Sequence, residues 1–358
     1  MADLSAGRSY VITNRKMKGV VNVWQNDCTP GAGLNIEPLL TGTKRNSQVW
    51  HLFPLDQGTV LFVNKNSGQV MNVHNNNPAP GEWLEQYYLQ DDPAALQTWL
   101  VRDAPGGGVY LVNKRTGMYT NIHNNAIGKN EVEQYYFQND PANAQVWDLQ
   151  VEDEYTPVLG LPHVDRDPMD IGDVIRLTDF KQPTKKQTEQ VLLGQVAMPF
   201  ILVQDTAVPR ERQASETPYY FLKRYGYWAL AYYFEHSGAS AYTKTQGVTV
   251  GLTTSNSQQV QNTTGIVVKA DASFSYKGAS ASLSTTLSQE LKVTTTSSTT
   301  QESTRTDTVS RTYAAGKRIA EAIWFKEDRY VLERMDGSKV TEWAVRDPDT
   351  LISDSYPD

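Results

Sequence analysis

Three internal repeats occupy roughly the first 150 residues of the chain. The triplet Gln-x-Trp marks them, and its copies lie 49 and 48 residues apart, at 48–50, 97–99 and 145–147. Asparagines recur at nearly the same spacing, at Asn14, Asn64 and Asn113 and again at Asn22, Asn72 and Asn121. Each unit alternates short apolar runs with Gly and Asn turns, which is typical of β-strands. One such unit cannot bury its apolar face alone, so the repeat predicts three units packed around a pseudo-threefold axis.

Repeats two and three also match outside the triplet. LFVNKNSGQVMNVHNNN (61–77) aligns with LVNKRTGMYTNIHNNA (111–126), and EQYYLQDDPAALQTW (85–99) aligns with EQYYFQNDPANAQVW (133–147). This region resembles the ricin-B-type β-trefoil lectins. The resemblance implies a lectin-like β-trefoil domain over residues 1–152. We expect the three repeated tryptophans, Trp50, Trp99 and Trp147, to pack its core.

The same resemblance implies where sugars would bind. In ricin-type lectins an acidic or amide side chain on the second strand binds sugar hydroxyls, and an aromatic side chain stacks on the apolar face of the sugar. By position, the predicted carbohydrate-binding residues are Asn22, Asn72, His74, Tyr87, Tyr88, Asn121, His123, Tyr135 and Tyr136. Asparagine replaces the lectins' aspartate in every repeat, and Ser47, Leu96 and Ala144 stand where the family has a polar residue. The asparagines are also consistent with amides that stabilise turns.

The second half of the chain has a different composition. Residues 153–175 contain three prolines and many acidic side chains, so we expect a linker there. Residues 176–358 are predicted to form the second domain. Ser and Thr make up 30 of the 72 residues from 241 to 312, where apolar and polar positions alternate and no proline occurs. This pattern predicts long amphipathic strands and not a low-complexity linker.

One part of this region predicts a hairpin with one apolar and one polar face. Apolar side chains alternate with polar ones over about 264–290, on both sides of a turn at Lys277–Gly278. The predicted membrane-inserting positions are Ile266, Val268, Ala270, Ala272, Phe274 and Tyr276 before the turn and Ala279, Ala281, Leu283 and Leu287 after it. Strands of about 9–11 residues can span a bilayer if hairpins from several subunits close into a ring and leave no unpaired edge. The alternative is an ordinary hairpin that covers a soluble sheet.

The order of motifs along the whole chain carries a second resemblance. After the repeats come TPYYFLKRYGYW (217–228), LSQELKV (287–293) and IWFKEDRYVLERMDGSKV (323–340). This order is similar to that of the Tpp (Bin-type, Toxin_10) insecticidal pore-forming toxins. The resemblance implies an all-β fold in which the β-trefoil precedes an elongated, aerolysin-like β-sheet pore-forming domain. It also implies a bacterial protein stored in crystal inclusions or with spores, which acts outside the cell on insect gut membranes.

The second resemblance also implies partners and a mode of activation. The partners are a receptor glycan or glycoprotein on gut cells, the target-cell membrane after activation, further copies of the chain in the pore, and in some members a second toxin protein. Before the pore forms we expect a monomer or dimer. Gut proteases would activate the protein, and Arg334, Lys339 and Arg346 are predicted cleavage sites. The acidic segment 346–358 carries no clear structural signal and is expected to be a tail that proteases can trim.

Composition restricts the alternatives. Lys and Arg number 33 against 40 Asp and Glu, a net charge of -7, which disfavours nucleic acid because phosphate binding needs a basic surface. Cys28 is the only cysteine, so neither an intrachain disulfide nor a cysteine-based zinc site is expected. Because the sequence lacks a nucleophile elbow, an HExxH motif and a Gly-rich phosphate loop, we predict no enzyme, metal or cofactor. The rival function is a carbohydrate-binding lectin or storage protein without pore activity.

Overall fold

The fold was analysed in a computed structural model that describes residues 6–55, 58–90, 95–123, 131–139, 144–254, 256–277, 281, 283–297 and 302–357. Strands dominate these residues and helices are few and short, so the predicted all-β fold is confirmed. The chain divides into two compact units. Unit 1 combines the residues up to Leu161 with Pro199–Tyr220, and unit 2 combines Pro162–Met198 with the residues from Phe221 onward. The segment 199–220 was not expected to return to the first unit.

Unit 1 contains twelve strands among its described residues, four in each repeat. They are β1 Arg8–Asn14, β2 Val20–Val23, β3 Leu34–Glu37, β4 Val49–Pro54, β5 Thr59–Asn64, β6 Val70–Val73, β7 Glu82–Tyr87, β8 Trp99–Asp103, β9 Val109–Asn113, β10 Tyr119–Ile122, β11 Val132–Tyr135 and β12 Trp147–Glu154. Neighbours pair antiparallel, and β12 pairs with β1, which joins the last repeat to the first. The arrangement is the predicted β-trefoil.

The repeated triplet has two structural roles. Trp50, Trp99 and Trp147 are fully buried in one apolar cluster, as predicted. Gln97 holds the loop that precedes it, since its Nε2 donates to the carbonyl of Tyr88 (2.7 Å) and its Oε1 accepts from the backbone N–H of Gln90 (2.9 Å). The glutamines of the other two triplets make the same pair of bonds to their own loops.

The first repeated asparagine joins consecutive repeats. Asn64 Oδ1 accepts from the backbone N–H groups of Asn66 (3.0 Å) and Ser67 (3.3 Å), which closes the turn after β5. Its Nδ2 donates to the carbonyl of Ser47 in the preceding repeat (2.9 Å). Asn14 and Asn113 make equivalent bonds. A buried amide that satisfies three backbone groups explains why the residue recurs.

Unit 1 also contains two short helices, α1 (Thr156–Leu159) and α2 (Arg210–Glu216). The segment that carries α2 packs on β4 through aromatic rings, with the centroid of Phe53 lying 5.9 Å from that of Phe200 and 5.2 Å from that of Tyr219. His51 is fully buried beside them, and its Nε2 donates to the carbonyl of Ala214 (2.7 Å). The imidazole therefore fixes α2 to the trefoil strand.

Unit 2 is built on a six-stranded sheet, whose strands are β13 Val191–Pro199, β14 Tyr219–His236, β15 Tyr242–Leu252, β18 Thr304–Tyr313, β19 Ile319–Arg334 and β20 Lys339–Tyr356. Their order across the sheet is β13-β14-β19-β20-β15-β18. Between β15 and β18 lie α3 (Ser257–Thr264), β16 (Ile266–Val268), β17 (Phe274–Tyr276) and α4 (Ser284–Leu291). Apolar clusters cover both sheet faces, since the consecutive residues Ile323 and Trp324 belong to different clusters.

The expectation of a free acidic tail at 346–358 is wrong. These residues form most of β20, an interior strand whose pairing with β19 runs from Glu333↔Lys339 to Ala320↔Tyr356. The segment lacked a recognisable strand pattern because its polar side chains are held by partners. Asp354, for example, accepts from the backbone N–H of Leu177 (2.5 Å) and pairs with Arg176 (2.9 Å).

His51 predicts a pH dependence of unit 1 stability. Burial lowers the pKa of His51 to about 4, whereas the unfolded residue titrates near 6.5. Between these values the unfolded chain binds a proton that the folded state excludes, so the free energy of unfolding falls as the pH falls. The loss from pH 7.5 to 5 is about 2 kcal/mol. Urea unfolding of the wild type and of His51→Gln, followed by tryptophan fluorescence at both pH values, measures it. An equal pH dependence in the two proteins would contradict the assignment.

Candidate functional site

The connection between β15 and β18 is the first candidate functional region. These two strands are adjacent, and their ladder runs without a shift from Tyr242↔Tyr313 to Gly251↔Thr304. All of residues 253–303, called the connection below, therefore lie between the two ends of one antiparallel ribbon. Its described part folds back on the sheet as α3, the short β16–β17 hairpin and α4.

The two strands predicted over Ile266–Tyr276 and Ala279–Leu287 are not present in this state. Ile266 and Val268 lie in β16, and Phe274 and Tyr276 lie in β17. The other predicted positions fall outside these strands: Ala270 and Ala272 lie in the turn between β16 and β17, Ala281 and Leu283 precede α4, and Leu287 lies in α4. Ala279 lies outside the described residues.

The sequence explains why a turn interrupts the first predicted strand and why a helix replaces part of the second. Asp271 interrupts the first strand, because its carboxylate accepts from the N–H (3.0 Å) and hydroxyl (2.6 Å) of Ser273 and closes a turn. Burial opposes ionisation of Asp271, but these bonds keep the pKa of its carboxyl below the usual value. Leu283, Leu287 and Leu291 are spaced by four residues and all are buried, which is the spacing of one helix face.

Apolar contacts dock the connection on the sheet. Ile266 and Phe274 are fully buried, and the Phe274 ring lies 5.1 Å from that of Tyr330. Tyr330 in turn stacks on Trp343 at 5.3 Å with an interplanar angle of 11°. Burial raises the pKa of Tyr276 and Tyr330, which keeps both hydroxyls neutral.

A buried arginine holds the end of α4. Arg224 on β14 donates to the carbonyls of Leu291 (2.8 Å) and Lys292, and pairs with Asp328 on β19 (2.6 Å). Lys292 also donates to the carbonyl of Arg166 (2.6 Å). The close approach requires glycine at position 194, since a Cβ there would lie 2.4 Å from the carbonyl oxygen of Glu290. The docking is therefore polar at one end and apolar at the other.

The second candidate region is the β6–β7 hairpin of trefoil repeat two. Asn72 faces Glu85 across the hairpin and donates its Nδ2 to Glu85 Oε1 (2.8 Å). The other carboxylate oxygen of Glu85 lies 2.8 Å from His74 Nδ1, which therefore carries the hydrogen. Trp83 is 50% exposed, and its ring lies 4.4 Å from that of His74. Together these four residues, the repeat-two cluster, place an acid, an imidazole and an indole on one face.

Repeat three contains a similar arrangement without the tryptophan. Asn121 donates to Glu133 Oε1 (2.9 Å), and His123 Nδ1 lies 2.7 Å from Glu133 Oε2. Glu131 takes the position of Trp83. In repeat one, Asn22 faces Asn35, and Trp24 takes the position of the histidine. Repeat one therefore lacks both the acid and the imidazole.

The three asparagines form the base of these clusters and are almost fully buried. The Ser47 hydroxyl lies 3.0 Å from Asn22 Oδ1, whereas the buried Oδ1 atoms of Asn72 and Asn121 have no hydrogen-bond partner in the described part of the chain. Leu96 and Ala144 occupy the position of Ser47 in those repeats, which explains the missing donor. The exposed polar groups of the clusters are the histidines and not the amides.

The predicted aromatic residues occupy two environments. Tyr87 and Tyr135 are partly buried at the ends of their strands, while Tyr88 and Tyr136 are 60% and 59% exposed. Each exposed tyrosine contacts its neighbour edge to face, with centroids 5.6 and 5.7 Å apart. Sequence reasoning missed Trp83, Glu85 and Glu133. The glutamates begin the two EQYY motifs, and pairing that segment with the Asn strand would have placed acid and amide together.

The predicted cleavage sites also differ in environment. Arg334 and Lys339 flank the tight turn between β19 and β20, where Asp336 and Gly337 are exposed. Arg346 lies within β20 and forms an ion pair with Glu327 (2.9 Å). A protease needs an extended, accessible backbone, which a paired interior strand does not offer. Cleavage at Arg346 is therefore inconsistent with this state, and cleavage at the other two stays a prediction.

Two searches over the described residues gave no further site. No group of three or more His, Cys, Asp or Glu side chains there is arranged to hold a metal ion. In the same part of the chain, no helix has the length and apolar character needed to cross a membrane.

Comparisons with known proteins agree with the two-part fold. Residues 191–358 match the family described as "Insecticidal Crystal Toxin, P42", and residues 3–87 match "Ricin-type beta-trefoil lectin domain-like". The crystal structure of Cry35Ab1 is similar over 99% of this chain and 91% of that chain, with a TM-score of 0.77 and 18% identity. No curated protein matched.

Two further solved structures are similar to less than half of the chain. The designed three-fold symmetric protein ThreeFoil covers 40% of this chain and 98% of its own, with a TM-score of 0.37 and 23% identity. The Macrolepiota procera ricin B-like lectin in complex with lactose covers 42% and 99%, with a TM-score of 0.33 and 16% identity. The C-terminal part of the chain, residues 191–358, is therefore similar to the insecticidal crystal toxin family, and its N-terminal part is similar to the ricin-type lectins.

Proposed function

We propose that the protein is an insecticidal pore-forming toxin whose trefoil binds gut-cell glycans and whose connection inserts into the membrane as a β-hairpin. Several copies of the chain would contribute one hairpin each to a closed transmembrane barrel. From the family resemblance we also propose storage in bacterial crystal inclusions or with spores, and action outside the cell on gut membranes, with or without a second toxin protein.

The register of the β15–β18 ladder is the observation that carries the pore proposal. Continued residue by residue through the connection, the pairing of Gly251 with Thr304 closes on a two-residue turn at Lys277–Gly278. This is the turn that the alternation of apolar residues predicts independently. The extended ladder would pair four apolar residues with apolar ones: Val268 with Leu287, Ala272 with Leu283, Phe274 with Ala281, and Tyr276 with Ala279. It would pair Ile266 with Gln289 and Ala270 with Thr285.

This register gives the hairpin two distinct faces. Residues directly opposite in an antiparallel pair lie on the same face, so the apolar pairs would face lipid. The same continuation pairs Lys269 with Thr286 and Asp271 with Ser284, which would face water. The number of residues on each side of the turn suffices to cross a bilayer. The ribbon would then grow from strands that are already paired.

The repeat-two cluster supports the glycan proposal. A half-exposed indole offers an apolar surface for a sugar ring, and the imidazole and carboxylate beside it offer hydrogen-bonding groups for hydroxyls. Repeat three provides the acid and the imidazole without the indole. A lectin or storage protein without pore activity would share this cluster. The toxin and the lectin are therefore distinguished by their effect on membranes and not by glycan binding.

A disulfide across β16 and β17 tests membrane insertion. In Cys28→Ser protein, Val267→Cys with Ser275→Cys joins two directly paired residues, whose Cα separation of about 5.5 Å suits a disulfide. In the inserted hairpin these positions lie about 26 Å apart on one strand. We expect the oxidised variant to bind gut membranes but to lose dye release from vesicles after protease treatment, and reduction to restore it.

A second disulfide provides the matched control. Thr245→Cys with Ser310→Cys joins β15 to β18 at residues that are paired before insertion and would stay paired after it. This variant should release dye in both redox states. Dye release by the oxidised Val267–Ser275 variant would contradict the insertion proposal, and glycan binding without release by the wild type would favour the lectin.

Removal of the exposed indole tests the glycan proposal. Trp83→Ala should weaken binding to gut glycans about tenfold, since loss of one good contact of this kind costs about 1–2 kcal/mol. Trp24→Ala is the control, because Trp24 is similarly exposed (54%) but has no acid–imidazole pair beside it. A glycan array followed by titration calorimetry measures both. Equal affinities of Trp83→Ala and the wild type would contradict this site.

A further inference from the structure

The turn between β16 and β17 combines two unfavourable features in the docked connection. Lys269 is fully buried, and its Nζ has no hydrogen-bond partner among the described residues. An ammonium group removed from water without a partner is costly. Three residues later, Ala272 has a φ of +62°. That left-handed conformation brings its Cβ close to a carbonyl oxygen and disfavours every residue except glycine.

Neighbouring contacts hold the turn in this conformation. The backbone N–H of Lys269 donates to the carbonyl of Ser273 (2.9 Å), and that of Ala272 donates to the carbonyl of Lys269 (3.0 Å). The Asp271 carboxylate accepts from Ser273. The N–H of Ala270 donates to the carbonyl of Glu302 (2.9 Å), which fixes the turn to the far end of the connection. The two unfavourable features persist because these bonds and the burial of Phe274 outweigh them.

Both features would disappear in an extended strand. An extended Ala272 has a negative φ. Side chains alternate along a strand, so Lys269 would lie on the face opposite Val268 and Ala270. In the register continued from β15 and β18 this is the water-facing side. Extension would therefore hydrate the ammonium group and relax the backbone in one step.

We propose that the turn Lys269–Ser273 is a strained trigger that favours release of the connection from the sheet, with Lys269 as its principal residue. This inference rests on the proposed membrane insertion. It assigns to Lys269 a role that its position in a soluble hairpin does not explain, since a buried apolar side chain would pack there without a missing partner.

Lys269→Met tests the trigger. Methionine keeps most of the volume of the side chain and removes the buried charge. We expect the thermal midpoint of the full chain to rise by about 5 °C and the rate of protease-induced dye release from vesicles to fall at least about tenfold. Lys317→Met is the matched control, because Lys317 is exposed and lies outside the connection. It should change neither quantity.

Ala272→Gly tests the backbone part independently. Glycine adopts positive φ without a steric penalty, so the docked form should again become more stable and release slower. A thermal midpoint of Lys269→Met equal to or below that of the wild type would overturn the proposal, as would a raised midpoint with unchanged release. A wild type that releases no dye would refute membrane insertion itself, whereas the midpoints would still report whether the turn is strained.

Discussion

The unshifted ladder between β15 and β18 is the constraint on which this account of unit 2 depends. It fixes two neighbouring strands in register while the chain between them is folded elsewhere. The register decides which side chains lie on each face, since a slip of one residue would exchange the two faces of any strand that continued the ladder. The ladder therefore determines in advance which residues of the connection would oppose one another. In that register four apolar residues of the first strand fall opposite apolar residues, whereas in the docked structure the described ones lie in a short hairpin, a turn and a helix.

The docked connection is held by contacts of different kinds. Phe274 against Tyr330 and Trp343 supplies apolar burial, and Arg224 with Asp328 supplies a buried ion pair that also binds the end of α4. Removing one partner of such a pair leaves an uncompensated charge, so the ion pair is stable only while both partners stay in place. The buried ammonium group of Lys269 and the positive φ of Ala272 oppose the docked conformation. A segment that combines favourable contacts with unfavourable groups of this kind can be stable in water and still be displaced as a unit.

The sequence predicted the trefoil well because each of the three sequence repeats forms one equivalent unit of the fold. Trp50, Trp99 and Trp147, with their glutamines, have the same neighbours in each unit, so their spacing alone indicates the fold. It pointed to Asn72 and His74 but not to the residues around them, since Glu85 and Trp83 become part of the cluster only through pairing across a hairpin. The amides of Asn72 and Asn121, expected on the surface, lie beneath these groups.

Unit 2 was less predictable for a physical reason. The alternation from Ile266 to Leu287 satisfies a strand pattern, while Asp271 and the leucines spaced by four satisfy a turn and a helix in the same residues. Local sequence cannot decide between them, because the choice depends on what covers the apolar face, and in this structure the sheet covers it. The strand β20 was missed for the opposite reason: its polar residues are bound by partners distant in sequence, such as Arg176 with Asp354.

The distance between residues 267 and 277 tests the central claim most directly. In the docked state Val267 lies in β16 and Lys277 directly follows β17, so spin labels at the two positions lie at most about 15 Å apart. On a single extended strand they would be separated by about 33 Å. Spin-label distance measurements on Val267→Cys, Lys277→Cys protein, made in Cys28→Ser background before and after it permeabilises vesicles, should show this lengthening. A short distance retained in dye-releasing, membrane-bound protein would contradict the account.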